Sequence, residues 1–192
     1  MDIEIIKFKN YLTQVISIDD KSFEMAAEYF KIEKILKGDY LNKEGQICNE
    51  IAFITEGLFR IYNLKDGMEI NTCFCLENSI TTSFSSFVYQ VPSVENIQAL
   101  ENSLVVTLSY GNLTKLQNIS SKWQTIRQLL TEKECLRLSD RASSLSFESA
   151  LERYENLLKL QPDIIRRVAI QHIASYIGVS RETLSRIRSR IS

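Results

Sequence analysis

Residues 170–191 read IQHIASYIGVSRETLSRIRSRI. The stretch fits two short helices that cross steeply around a tight turn, the helix-turn-helix pattern. The crossing point demands a small side chain, and Ala174 supplies it. The turn demands a residue at ease with positive φ, and Gly178 follows four residues later. Ile173, Ile177, Val179, Leu184 and Ile187 fall where apolar groups would fill the angle between the helices. Ser180 stands at the cap of the second helix.

On a wheel of 100° per residue the second helix divides cleanly. Leu184, Ile187 and Ile191 share one side; Arg181, Glu182, Ser185, Arg188 and Ser189 share the other, with Arg186 at its edge. The polar side can read donors and acceptors in a DNA major groove. Arginine can make two hydrogen bonds to guanine O6 and N7, and glutamate can accept from cytosine N4. A carboxylate facing phosphates is repelled, so Glu182 fits base reading better than unspecific binding; its bland alternative is to stabilise the positive start of the helix. Ser180 and Thr183 are short hydroxyls suited to phosphate contacts, and Gln171 adds an amide at the start of the first helix.

Charge is distributed in the same sense. Residues 161–192 carry six arginines against Asp163 and Glu182, a net of +4. The chain holds 23 basic and 24 acidic residues in all, so residues 1–160 are left with 17 and 22, a net of −5. A cationic tail on an anionic body points to a polyanionic partner at one end. No apolar run approaches the roughly 20 residues of a membrane span, and the start, MDIEIIKFKN, is unlike a signal peptide. Cys48, Cys73, Cys75 and Cys135 form no C-x-x-C pair, so reduced thiols in a cytoplasmic protein are expected. Cys73 and Cys75 would share one face of a strand.

Working toward the N-terminus, residues 112–161 contain neither glycine nor proline. Ile119, Trp123, Ile126, Leu129, Leu130 and Leu136 form a stripe at helical spacing. One helix from about 114 to 141 is expected, long enough to pair with a second copy. A break at Ser143-Ser144 and a further helix from Ser146 to Leu160, ended by Pro162, should follow. Between about 34 and 110 the pattern is of short strands: IAFITEGLFRIYNL with a break at Glu56-Gly57, a hairpin at Lys65-Asp66-Gly67, MEINTCFCL, VENIQAL and SLVVTLS. Residues 22–37 read as a helix leading into a strand. Many short, closely spaced strands argue for a sandwich or jelly roll.

The run Gly178-Val179-Ser180-Arg181-Glu182-Thr183-Leu184-Ser185-Arg186-Ile187 closely resembles the recognition segment of the Crp–Fnr family, the catabolite-activator-like bacterial transcription regulators. LKGDYLNKEGQ and IAFITEGLFRIYNL look like early strands of that family's β-roll. The resemblance implies an α+β fold: a β-roll of cyclic-nucleotide-binding type over 1–112, a dimerisation helix over 113–142 and a helix-turn-helix domain over 143–192. It implies a homodimer on double-stranded DNA, with recognition helices roughly 34 Å apart on a near-palindromic site. It implies Arg181, Glu182 and Arg186 as base readers, and RNA polymerase as a further partner. Only Ile165–Ala169 is available for the family's small β wing, so a reduced wing is expected.

The sensing half departs from the family pattern. Cyclic-nucleotide binders carry a Phe-Gly-Glu stretch and an Arg-Ala pair around the cyclic phosphate; residues 77–100, ENSITTSFSSFVYQVPSVENIQAL, have neither. Lys and Arg are absent from 66 through 114, whereas Asp66, Glu69, Glu77, Glu95 and Glu101 are present. A phosphate buried there would lack a counter-charge, so cAMP and cGMP are not expected as ligands. Arg60, Asn78, Thr82 and Ser83 are the candidate residues of an effector pocket, the last three near a helix start between Asn78 and Ser86. No N-terminal cysteine cluster of the iron–sulfur members is present.

The alternative is a cupin-like β-roll, a small-molecule binder or enzyme whose helical tail does not bind DNA. Such sites usually take several histidines, and the chain has one, His172. No Ser/His/Asp set, Walker-type glycine loop or paired acids is visible. No catalytic residue, cofactor or metal ligand is therefore expected.

Overall fold

In the computed structural model, which describes residues 2–16 and 18–191, the chain divides into two compact units. One holds residues 1–61 and 75–132; the other holds 62–74 and 133–192.

The first unit opens with helix α1 (Ile3–Ile16), whose Ile5, Phe8 and Leu12 are buried at helical spacing, and the short α2 (Asp20–Glu24), capped by Asp19. The strands are β1 (Lys31–Ile35), β2 (Tyr40–Asn42), β3 (Glu50–Glu56), β4 (Phe59–Lys65), β5 (Met68–Cys75), β6 (Ser79–Thr81), β7 (Asn96–Ala99) and β8 (Ser103–Ser109). They form two four-stranded sheets, ordered β1-β8-β3-β6 and β2-β7-β4-β5. Helix α3 (Phe84–Tyr89) lies between β6 and β7. The break expected at Glu56-Gly57 separates β3 from β4, and Gly57 has a φ of 102°. Asp66 and Gly67, both at positive φ, close the β4–β5 hairpin, the pairing of a tight hairpin turn.

The helix expected over 22–37 shrinks to the end of α2 and a single 3₁₀ turn at Ala27–Tyr29. Residues 31–35 are a strand instead, because pairing with Ser103–Thr107 of β8 buries Ile35 and overrides local helix propensity.

After β8 come α4 (Tyr110–Ile119) and α5 (Ser121–Phe147). The single helix expected from 114 to 141 is thus broken at Ser120, which is extended (φ −150°, ψ 131°). The break lets Trp123 and Ile126 drop into the core. There Phe30 stands 5.9 Å from the Trp123 ring and 5.2 Å from Phe8. The apolar stripe then parts company: Trp123 and Ile126 are buried, whereas Leu136 is 67% exposed.

The expected break at Ser143-Ser144 does not occur. Ser144 donates to the Glu148 carboxylate and Ser146 to the Ala142 carbonyl, so these serines spend their hydroxyls within the helix. The chain turns at Glu148-Ser149, where Ser149 and Glu152 form a capping box that starts α6 (Ala150–Leu160).

Pro162 then opens α7 (Pro162–Arg167) from its first turn, a position that needs no N–H donor. The expected remnant of a β wing at 165–169 is therefore mostly helix. Helices α8 (Ile170–Ile177) and α9 (Arg181–Ile191) complete the second unit.

Candidate nucleic-acid interface

Helices α8 and α9 are joined by three residues. Gly178 has a φ of 83°; its N–H donates to the Ser175 carbonyl, and the Val179 N–H donates to the Ala174 carbonyl at 3.0 Å. This is the Schellman arrangement, which closes the end of α8 and reverses the chain at once. The Ser180 hydroxyl accepts from the Thr183 N–H at 3.2 Å and so caps α9. Ile173, Ala174, Ile177, Leu184 and Ile187 are buried, so both helices put their apolar sides inward.

Apart from Ile191 in its last turn, which is 39% exposed rather than covered with Leu184 and Ile187, what remains outside on α9 is polar. Ser180, Arg181, Glu182, Ser185, Arg186, Arg188 and Ser189 are exposed, Thr183 is half-buried, and Gln171 is exposed in the first turn of α8. Glu182 is held below the usual carboxylate range, first by its own backbone N–H and then by the Ser180 hydroxyl, with smaller help from Arg181 and Arg186. An exposed, ionised carboxylate at the start of α9 also matches the positive end of the helix dipole.

Two arginines that the linear pattern did not single out hold α8 in place. Arg153 of α6 donates from Nε to the Ile177 carbonyl at 2.8 Å, and from Nη1 to the carbonyls of Ser144 and Glu148. Arg141 of α5 donates to the Tyr176 carbonyl, with its guanidinium 4.0 Å from the centre of the Tyr176 ring. The last carbonyls of α8 have no partner within the helix. Two cations at this end satisfy them and complement the dipole. Burial lowers the proton affinity of Arg141, opposed in part by Tyr176.

The candidate effector residues are engaged within the first unit. Arg60 is buried and donates from Nε and Nη2 to Gln98 Oε1, at 2.9 and 2.6 Å. Asn78 is exposed, has a φ of 60°, and donates its N–H to the Ile54 carbonyl. Thr82 donates to the Glu50 carbonyl, and its oxygen lies 3.3 Å from Cys48 Sγ. Ser83, fully buried, donates to the Glu95 carboxylate at 2.9 Å and accepts from Ser93. It directly precedes α3, the helix start expected in this segment. All four cysteines are free thiols, with Cys75 buried and Cys73 half-buried. Among the described residues no group of three or more His, Cys, Asp or Glu side chains is placed to hold a metal ion. No helix among them is long and apolar enough to cross a membrane.

Residues 32–119 match the model of the cyclic nucleotide-binding domain family. The fold of the chain is similar to that of Crp/Fnr regulators. Three solved structures of that kind superpose on most of it. A transcriptional regulator of the crp/fnr family from Eubacterium rectale has a TM-score of 0.73 at 15% identity, over 95% of this chain and 87% of that one. FixK2 from Bradyrhizobium japonicum gives 0.70 at 19% identity, over 84% of each chain. The Thermus thermophilus catabolite activator protein gives 0.60 at 17%, over 94% of this chain and 86% of that one. No curated protein matches the chain by sequence.

Proposed function

We infer that this chain is a sequence-specific DNA-binding transcription regulator that acts as a homodimer in the bacterial cytoplasm. The observation that carries the reading is the division of α9. Leu184 and Ile187 are buried in the chain, and a face of Arg181, Glu182, Ser185, Arg186, Arg188 and Ser189 is left to solvent. Such a face presents forked cations, a carboxylate and hydroxyls with little bulk, which suits major-groove edges. Arg181, Glu182 and Arg186 are the base readers in this reading; Ser180, Thr183 and Gln171 take phosphates.

The exposed apolar side chains of α5 support dimerisation. Leu136, Leu138, Leu145 and Phe147 are 67%, 48%, 49% and 86% exposed, on a helix of 27 residues, about 40 Å long. A second copy would cover them and bring two recognition helices to one near-palindromic site, with RNA polymerase as the downstream partner. In this scheme residues 1–112 sense, 113–142 pair the subunits and 143–192 bind DNA. The sensed molecule is not a cyclic nucleotide. Residues 66–114 carry no cation, and the fully buried hydroxyl of Ser83 already serves a carboxylate, that of Glu95.

Selection of bound duplexes from a random pool tests the proposal. The expected product is a two-fold sequence whose half-sites lie one helical turn apart, bound with a steep salt dependence because several arginines displace counterions. Recovery of no enriched sequence, or of an enriched sequence without two-fold symmetry, would sink it.

A further inference from the structure

We propose that Ser175 and Tyr176 are positioning residues for DNA reading: they fasten α8 to the β4–β5 hairpin and make that hairpin a working part of the DNA-binding head. The proposal rests on the DNA-binding reading above. It starts from the makeup of the second unit, in which residues 62–74 belong with the helices of 133–192.

The contact has a specific chemistry. β5 is an end strand of its sheet. An end strand presents a row of backbone N–H and C=O groups that no neighbouring strand satisfies. Along such an edge the carbonyl of one residue and the N–H of the residue two further on point the same way. At Glu69 and Asn71 these two groups meet one side chain. Ser175 Oγ donates to the Glu69 carbonyl at 2.7 Å and accepts from the Asn71 N–H at 3.0 Å. A single hydroxyl thus stands in for one residue of a missing strand. A short hydroxyl side chain, serine or threonine, suits the place, because one atom must both donate and accept there.

The next residue adds an apolar clasp. The Tyr176 ring lies 5.3 Å from Phe74 of β5, inclined at 53°, and also carries the Arg141 guanidinium. Tyr176 therefore ties the hairpin and α5 to the same turn of α8, one residue before its end. Because α9 follows after three residues and packs on α8 through Leu184 and Ile187, the direction of its exposed face follows that of α8. Loosening the clasp should blur the aim of α9 without touching any side chain that faces DNA.

The test uses the full-length protein with Ser175→Ala, Ser175→Thr and Tyr176→Leu. Hydrogen exchange at Asn71 is measured without DNA. Binding is measured on the selected site, on random duplex, and on versions of the site with half-site spacing changed by one base pair. Loss of a hydrogen bond worth about 1 kcal/mol predicts roughly five- to tenfold faster exchange at Asn71 in Ser175→Ala and a similar loss of affinity for the selected site. Random-duplex binding should stay constant, discrimination against altered spacing should shrink, and Ser175→Thr should restore both. Tyr176→Leu should give the same loss of spacing discrimination.

Unchanged exchange at Asn71 would overturn the proposal, and so would raised exchange with spacing discrimination intact. Equal losses on selected and random duplex in Ser175→Ala would show a generally weakened fold and also overturn it. If the unsubstituted protein bound no duplex at all, the DNA-binding reading itself would fall. The exchange rates would still decide whether the hairpin is held by Ser175.

Discussion

Replacing Arg153 by alanine removes one side chain that holds three carbonyls from two places in the chain: Ile177 at the end of α8, and Ser144 and Glu148 at the end of α5. A hydrogen bond from a charged donor contributes about 1.5–3 kcal/mol, and a bond open to water contributes less. Arg153 is half-buried, so the 2.8 Å bond to Ile177 counts at the low end, near 1.5 kcal/mol, and the other two together at about 0.5. The total is roughly 2 kcal/mol, which for a chain of this size corresponds to a fall of about 4–8 °C in Tm. Arg153→Lys keeps the charge and loses the fork, so it should recover less than half of that stability. Urea unfolding followed by circular dichroism at 222 nm gives the difference directly. A loss below about 0.5 kcal/mol in Arg153→Ala, or full stability in Arg153→Lys, would refute the role given to the guanidinium.

Three further outcomes are expected. Arg181→Ala should cost about 1–3 kcal/mol on the selected duplex and relax preference at one base pair, read by competition binding; an equal loss on random duplex would rule out base reading by Arg181. Gly57→Ala should destabilise by at least ~3 kcal/mol, since it combines strain at positive φ with overpacking. At a φ of 102° an added Cβ would stand 2.8 Å from the Ser103 Cα, a backbone atom that cannot swing aside. Denaturant melts decide, and a loss under 1 kcal/mol contradicts the close approach. Glu50 has its pKa raised, first by burial and then by the charge of Glu33, with Lys31 opposing. Its protonated form is therefore favoured by folding; that contribution is full at acid pH and is lost as pH rises through the raised value. Glu50→Gln should thus be more stable than the unsubstituted protein at pH 7, with the gap closing as pH falls. A gap that widens on acidification would show the wrong sign.

Much of the architecture can be read from local chemistry. Asp66-Gly67 and Gly57 mark turns because few other residues tolerate their backbone angles, and β3, β4, β5, β7 and β8 fall within the runs rich in Ile, Val, Phe and Thr. Gly178, Ala174 and the buried Leu184 and Ile187 carry the same kind of signal at the other end. Helix ends were less legible. Ser143-Ser144 and Ser120-Ser121 look alike in sequence; the first pair lies inside a helix, and the second contains the break. What separates them is the core waiting for Trp123. Helix α1 was readable in principle, from Ile5, Phe8 and Leu12, but Ile3 and Ile6, exposed off the stripe, blur its pattern. The candidate interface was legible as a set of exposed side chains on one helix. Its supports were not, because Arg141, Arg153 and the hairpin reach α8 from 24 to 106 residues away. No periodicity encodes a contact of that range.

The two sides of α9 share no side chain: Leu184 and Ile187 are buried and attach the helix, and the side chains at 181, 182, 185 and 186 face water. The address such a helix reads is therefore separable from the scaffold that carries it. New combinations at 181, 182, 185 and 186 could be drawn without repacking the buried side, which gives lineages and engineers alike a cheap route to new targets on an old frame.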